Sequence, residues 1–241
     1  MAFLCMILLS CGSYKTATYF QDVNREELTK EAIDNFNPIT IQPGDILGIS
    51  ISSLNPESSA IFNFASNTAT GASESSGGYL VDQHGDIQLP VLGTINVGNL
   101  TSSQIREKLK LKLTPYLKEP VVVATLMNFK VSIMGDVSNP GLYKSQGERL
   151  TIPEAISMAG DLNMTALRTL LIIREVNGER QYINVDLTKK SLFNSPYYYL
   201  KNNDIIYVQA SRVKYSSSDP IYQRAGFLLS VFSVAAIFIF R

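Results

Sequence analysis

Apolar and polar positions alternate in short runs through most of the chain, and a helical period breaks the alternation twice. Ile39 to Ile41 and Ile46 to Ile51 alternate on either side of Pro43-Gly44, which predicts strand, turn, strand. Tyr79 to Val81 and Ile87 to Gly93 flank the polar run Asp82 to Asp86 and predict a second hairpin. At Leu100 the period lengthens. Thr101 stands as an N-cap with Gln104 at the capping-box position, and Ile105, Leu109 and Leu113 share one face until Pro115. Val121 to Leu126, apolar but for Thr125, reads as a buried strand. One amphipathic helix crossing a β-rich unit therefore occupies residues 38–127.

A second unit spans residues 128–210. Phe129 to Val137 alternates, turns at Asn139-Pro140-Gly141 and returns through Leu142-Tyr143. A helix over Ile152 to Ala159 has Thr151 as N-cap, Pro153 and Glu154 in its first turn, and Gly160 as its stop. Strands follow at Leu170 to Glu175, Gln181 to Val185 and Ile205 to Val208, with Asn177-Gly178 turning the first hairpin. The order is β, β, α, β, β, β, and the fold class is α+β, rich in β. Ile41 to Ile49 is echoed by Leu200 to Val208, with Asp45 matched by Asp204. That is shared turn chemistry rather than a stacking repeat.

Outside these units the pattern changes character. Residues 12–37 are polar, with a weak helical stretch from Arg25 to Phe36, and read as a tether. Asn55 to Gly78, rich in Ser, Ala, Asn and Gly, reads as a long loop, and residues 211–223 as a linker. Residues 1–10 form an apolar signal segment, and Leu8-Leu9-Ser10-Cys11 resembles the bacterial lipobox, although no Lys or Arg precedes the run. Cys11 would then carry covalent lipid at the head of a tether over residues 11–37, and several acyl chains on one cysteine suffice for stable anchoring.

At the other end, residues 224–241 read as a transmembrane helix: Ala225 to Phe240 is uncharged and bracketed by Arg224 and Arg241. Its reach of roughly 24 Å is short of a ~30 Å hydrocarbon core, a gap that snorkelling arginines and a thin membrane close. Gly226, Ser230 and Ser233 fall on one face, where they would serve helix packing or face a pore.

Charge and chemistry narrow the function. The 21 Lys and Arg cancel the 21 Asp and Glu, so the overall field favours no polyanion such as nucleic acid and fits a neutral partner or a membrane. Both cysteines, Cys5 and Cys11, lie in the first apolar stretch, which leaves the folded body without a thiol. His84, with Asp82 and Asp86, invites a metal reading, but one histidine and two acids on a turn meet few ligand criteria. A glycosidase needs two carboxylates at a defined separation, for which Asp45, Asp82, Asp86 and Asp136 are the candidates. Each also has a turn to explain it. Tyr197, Tyr198 and Tyr199 could face sugar, or equally pack in a β-strand. No Walker-type loop is present, no cofactor beyond the lipid is called for, and the chain reads as a non-enzyme.

The ordered set Pro43-Gly44-Asp45, Val81 to Gly93, the helix from Leu100 and the exit Tyr116 to Val123 resembles the polysaccharide export family of outer-membrane proteins. Val131 to Tyr143, the helix with Ala155 and Gly160, and Asp204 to Val208 resemble that family's soluble-ligand-binding β-grasp (SLBB) module. Together they cover residues 38–210. The motif turns are Pro43, Gly44, Asp45, Gly85, Gly93, Gly135, Pro140 and Gly141, where glycine supplies positive φ and proline a fixed φ.

The chain departs from the family in three ways. It has room for one SLBB module where well-known members carry two. Asn203 stands where the late turn usually has glycine, a replacement that asparagine tolerates. The terminal helix is more uniformly apolar than the amphipathic helix by which relatives form a pore. The resemblance implies a homo-oligomeric ring in the outer membrane, its body in the periplasm. Such a ring would be a passive conduit for capsular polysaccharide or exopolysaccharide, coupled to an inner-membrane copolymerase or tyrosine autokinase. The alternative is a lipid-anchored periplasmic adaptor that binds polysaccharide or an envelope partner without forming a pore.

Overall fold

The computed structural model describes residues 18–28, 30–63, 77–145, 147–176 and 178–216. In the first unit, β1 (Ile46–Ser52) is the centre of an antiparallel sheet ordered β2 (Tyr79–Leu80), β1, β5 (Val121–Leu126). A separate hairpin joins β3 (Asp86–Leu89) to β4 (Gly93–Asn96). Helix α2 (Ser102–Leu113) lies against β5. Its Thr101 cap and Gln104 satisfy each other's backbone N–H groups as a complete capping box. Ile105, Leu109 and Leu113 are wholly buried and meet Leu47, Ile51, Val122 and Ala124 in one core.

Three expectations change here. Ile39 to Ile41 is not a strand; only Thr40 makes an isolated bridge, to Thr101, so the Pro43-Gly44 turn leads into a single strand. The second hairpin is not built from Tyr79 to Val81, which pairs with β1; the β3 partner is β4. The reason is local. The Gly85 carbonyl accepts the N–H groups of Val97 and Gly98, and the intervening Val91 and Gly93 both take positive φ, closing a tight turn between β3 and β4. Finally, β5 is buried on one face only: α2 covers Val122 and Ala124, while Val121 and Val123 are 60% and 51% exposed. The predicted long loop opens with a one-turn helix, α1 (Pro56–Ala60), because the Asn55 side chain caps the N–H groups of Glu57 and Ser58.

The second unit follows the predicted order. Its sheet runs β7 (Gly141–Lys144), β6 (Lys130–Gly135), β10 (Ile205–Ala210), β8 (Ala166–Val176), β9 (Glu179–Asp186), with β10 parallel to β6 and every other pair antiparallel. Helix α3 (Ile152–Met158), again closed by a full capping box between Thr151 and Glu154, shares the core with Val131, Ile133, Leu170, Ile172, Ile206 and Val208. Gly135 has φ +100, and a Cβ there would lie 2.0 Å from the Val208 carbonyl oxygen. No other residue fits.

The tether is the largest correction. Residues 18–28 and 30–36 contain no helix; they lie along the second unit. The Phe20 and Gln21 N–H groups donate to the carbonyls of Leu187 and Thr188. Asn35 donates to the carbonyls of Phe193 and Ser195, and Lys190 pairs with Glu31 at 2.7 Å. Tyr19 and Phe20 pack on the second core, and Phe36 meets Tyr199 edge-on at 5.4 Å. Burying these rings drives the strap onto the domain, because a polar tether alone gains nothing by lying down.

Among the described residues no helix is long and apolar enough to cross a membrane. The signal segment, Cys11, linker residues 217–223, Arg224, Gly226, Ser230, Ser233 and Arg241 lie outside the described residues.

Candidate functional site

Two turns of the same construction meet where the units join. In the first, the Gln42 N–H donates to Asp45 Oδ2 at 2.9 Å, the Asp45 N–H donates back to the Gln42 carbonyl at 3.1 Å, and Gly44 takes φ +87. In the second, the Lys201 N–H donates to Asp204 Oδ2 at 2.7 Å, the Asp204 N–H returns to the Lys201 carbonyl at 3.2 Å, and Asn203 takes φ +66. Each aspartate side chain thus closes the turn that precedes its strand. Asparagine holds the left-handed position as the sequence suggested.

The turns also touch. Asn202 Nδ2 donates to Asp45 Oδ1 at 2.6 Å, while Asn202 Oδ1 accepts the Lys130 N–H at 3.0 Å. Asn128 does the reciprocal work, accepting the Ile46 N–H at 2.9 Å and donating to the Gly44 carbonyl at 3.0 Å. Two amides, one at the start of the second unit and one in its late turn, therefore stitch that unit to the first. Asp45 is 2% exposed and accepts only neutral donors, so burial raises its carboxyl above the usual aspartate value against the hydrogen bonds from Gln42 and Asn202. Asp204, 1% exposed, is instead gripped by Arg174 through Nε at 2.8 Å and Nη2 at 2.6 Å. The guanidinium also donates to the Tyr199 carbonyl and lies 5.9 Å from the Tyr197 ring centre.

Beside this seam opens a groove of about 630 Å³. Gln42, Pro43, Asp45 and Asn99 form its wall on the first unit, and the β8–β9 hairpin with the second turn forms the other. Glu175 and Arg180 pair with each other across the hairpin, and that hydrogen bond holds the Arg180 guanidinium up. Among the described residues, Lys201, Glu179 and Asn203 line the groove with side chains that have no protein partner.

The remaining candidates fall into separate roles. Gly85, Gly93 and Gly135 take positive φ; Gly141 does not, because it is already the first residue of β7, paired with Ile133 after Pro140. Asp82 Oδ1 accepts the N–H groups of His84 and Asp86, and these bonds, that from Asp86 foremost, hold its carboxyl low. Asp86 in turn accepts from Asn96. Among the described residues no group of three or more His, Cys, Asp or Glu is placed to hold a metal ion. Asp136 is 1% exposed and accepts from Asn163, Thr165 and Lys214; burial pushes its carboxyl up, but those bonds, led by Lys214, hold it below the usual range. The four aspartates thus each serve their own turn or network, and no pair is set apart for glycoside chemistry.

Tyr197, Tyr198 and Tyr199 are not in a strand. They follow a short 3₁₀ helix (Lys190–Asn194); Tyr198 and Tyr199 join Phe193 and the strap's Phe20 and Phe36 in an aromatic row, while Tyr197 meets Arg174. Sequence reasoning passed over Asn128, Asn202 and Arg174. The echo between the two turns was the available signal for Asn202, since it places a polar side chain where the first turn has proline.

The chain matches the family described as polysaccharide biosynthesis/export protein over residues 34–127 and the SLBB domain over residues 129–208. It is similar to the EPS I polysaccharide export outer membrane protein EpsA of Ralstonia nicotianae, 31% identical over 98 residues, which are 39% of this chain and 26% of that protein. The corresponding protein of Ralstonia solanacearum is 28% identical over 109 residues, 44% of this chain and 29% of the relative. The matched stretch thus spans little more than a quarter of those relatives' length.

Proposed function

Since the chain belongs to the polysaccharide export family, a family of transport proteins and not of enzymes, we propose that it is one subunit of an oligomeric outer-membrane channel. The channel passes capsular polysaccharide or exopolysaccharide as a passive conduit, and an inner-membrane copolymerase or tyrosine autokinase supplies the coupling.

The observation that carries assembly is the bare face of the second unit's sheet. Helix α3 covers one face. On the other, Leu142, Met134 and Tyr182 are 57%, 49% and 63% exposed, with Tyr207, Ile205, Leu171 and Ile173 between them in register. β8 reads Leu170-Leu171-Ile172-Ile173, apolar on both faces, as strands covered on both sides do. Lys130, Lys144, Glu175 and Arg180 surround this centre with charge of both signs, the anatomy of an interface rather than of a solvated sheet. A second copy of the chain is the occupant this reading assigns, and zero net charge leaves no bulk repulsion between copies.

The strap and the exit support the placement. Residues 18–28 and 30–36 are held by the second unit, and α4 (Arg212–Ser216) is tied to it through Lys214 and Asp136. With lipid on Cys11, the stretch to Thr18 spans at most about 25 Å. With residues 224–241 in the membrane, both attachments leave from the same unit, which then sits against the outer membrane with the first unit deeper in the periplasm.

The test substitutes lysine on the bare face, as Leu171→Lys with Tyr207→Lys, in the full chain. Loss of the oligomer and of surface polymer is expected; an unchanged oligomer contradicts the assigned face. Gly226, Ser230 and Ser233 replaced together by leucine should abolish surface polymer if the terminal helices line or pack the channel. Unchanged export would favour an adaptor whose ends serve only for attachment. Cys11→Ser should release the protein from palmitate labelling.

A further inference from the structure

The groove between the units is lined in part by side chains that the fold does not use, those of Lys201, Glu179 and Asn203. Its polar groups include donors and acceptors of both charges. Lys201 and Arg180 line it together with Glu179 and Glu175 and the amides of Gln42, Asn99 and Asn203. A strongly charged ligand would find its own sign among these groups. Metal coordination needs converging carboxylates or imidazoles, which the groove lacks; its acids are interleaved with cations and amides. A neutral polyhydroxyl compound is the class that such a surface suits. A carboxylate accepts from two adjacent hydroxyls, an ammonium or guanidinium donates to them, and an amide does one of each, so the lining matches hydroxyls in either role. Pro43 and Val176 offer apolar contact to the C–H faces of a sugar ring.

We infer that this groove is a saccharide subsite, in which Lys201, Glu179 and Asn203 bind the hydroxyls of a short run of sugar residues in the passing polymer. The assignment of sugar rests on the export reading above. At about 630 Å³ the groove is the size of a small-ligand site, so it grips a segment and not a chain. Its walls belong to different units joined through Asn202 and Asn128, so a bound segment would also brace the junction. A conduit must release what it binds, and the affinity should accordingly be weak, with Kd on the order of 1 mM.

The probe is a set of two- to four-sugar oligosaccharides, made by partial hydrolysis of the polymer exported by the protein's own cells. They are titrated into the full chain in mild detergent, with the backbone amide resonances of Gly178 and Asn203 as readout. Saturable shifts are expected in the wild type. In Lys201→Ala with Glu179→Ala, two side chains without protein partners, binding should weaken at least tenfold. Lys118→Ala, exposed on the first unit away from the groove, should bind as the wild type does. No saturable shift, or equal affinity in the double variant, overturns the inference. Deleting the chain from cells tests the export reading separately. Polymer lost on deletion with no groove binding overturns the subsite alone; polymer unchanged on deletion overturns the export reading on which it rests.

Discussion

The turns at Gln42–Asp45 and Lys201–Asp204 share one hydrogen-bond ring yet solve the burial of a carboxylate in opposite ways. Asp204 is met by a guanidinium that is itself 5% exposed, so two charges leave water together. Asp45 is met by an amide and a backbone N–H, and burial raises its carboxyl. The same local sequence logic therefore fixes the turn in both places. What compensates the charge is decided by the strand that packs behind it: β8 brings Arg174 to the second turn, and among the described residues no cation bonds Asp45 at the first.

The largest expected effect breaks the charged half. Arg174→Met leaves Asp204 buried without its counter-charge and should cost about 3–5 kcal/mol in urea unfolding. Adding Asp204→Asn should recover a good part of it, because the uncompensated charge goes with it. Asp45→Ala removes a turn closure and strands the Asn202 amide; it should cost about 1–3 kcal/mol and loosen the junction between units, read as new protease cleavage near residues 127–129.

A pH series sharpens the contrast. Asp45 lies above the ordinary 3.8, so both folded and unfolded forms carry its proton in stronger acid, and stability is lost as pH rises through the folded value. Asp136 lies below 3.8, so its contribution is present above that pH and is lost as pH falls through the folded value. Asp45→Asn should thus gain on the wild type as pH rises from about 3 to 6, and Asp136→Asn should flatten the acid-side loss instead. Either variant showing the other's slope contradicts the assignment. The smallest effect compares the left-handed positions. Gly44→Ala should cost about 1–2 kcal/mol for its positive φ alone, since a Cβ there meets nothing within 4 Å, whereas Asn203→Gly should change stability by less than about 1 kcal/mol.

These contrasts also mark what sequence can carry. The Thr101–Gln104 capping box, the Thr151 N-cap, the order of elements in the second unit and the Asn203 turn were legible because each is set by residues within a few positions of one another. The partner of Tyr79–Leu80 was not, since that short strand crosses past Asp82 to reach β1 and its own sequence favours the nearer pairing. The strap escaped because Tyr19, Phe20 and Phe36 are too widely spaced to show a period; their burial depends on Leu187, Phe193 and Tyr199, distant in sequence. Arg174 was passed over because its burial follows from the inward parity of β8 and from Asp204, thirty residues away. Of the groove, the Asp45 wall was in view as a motif. Lys201, Glu179 and Asn202 reach it only through the meeting of the two units.

The central claim is assembly into a conduit, and the most direct measurement is the particle mass and shape of the full-length protein in mild detergent, by native mass measurement with electron microscopy of the same sample. A closed ring with a central opening, at an integral multiple of the 26.6 kDa chain plus any lipid, is the predicted result. A stable monomer, with its apolar sheet face bare in solution, would contradict it.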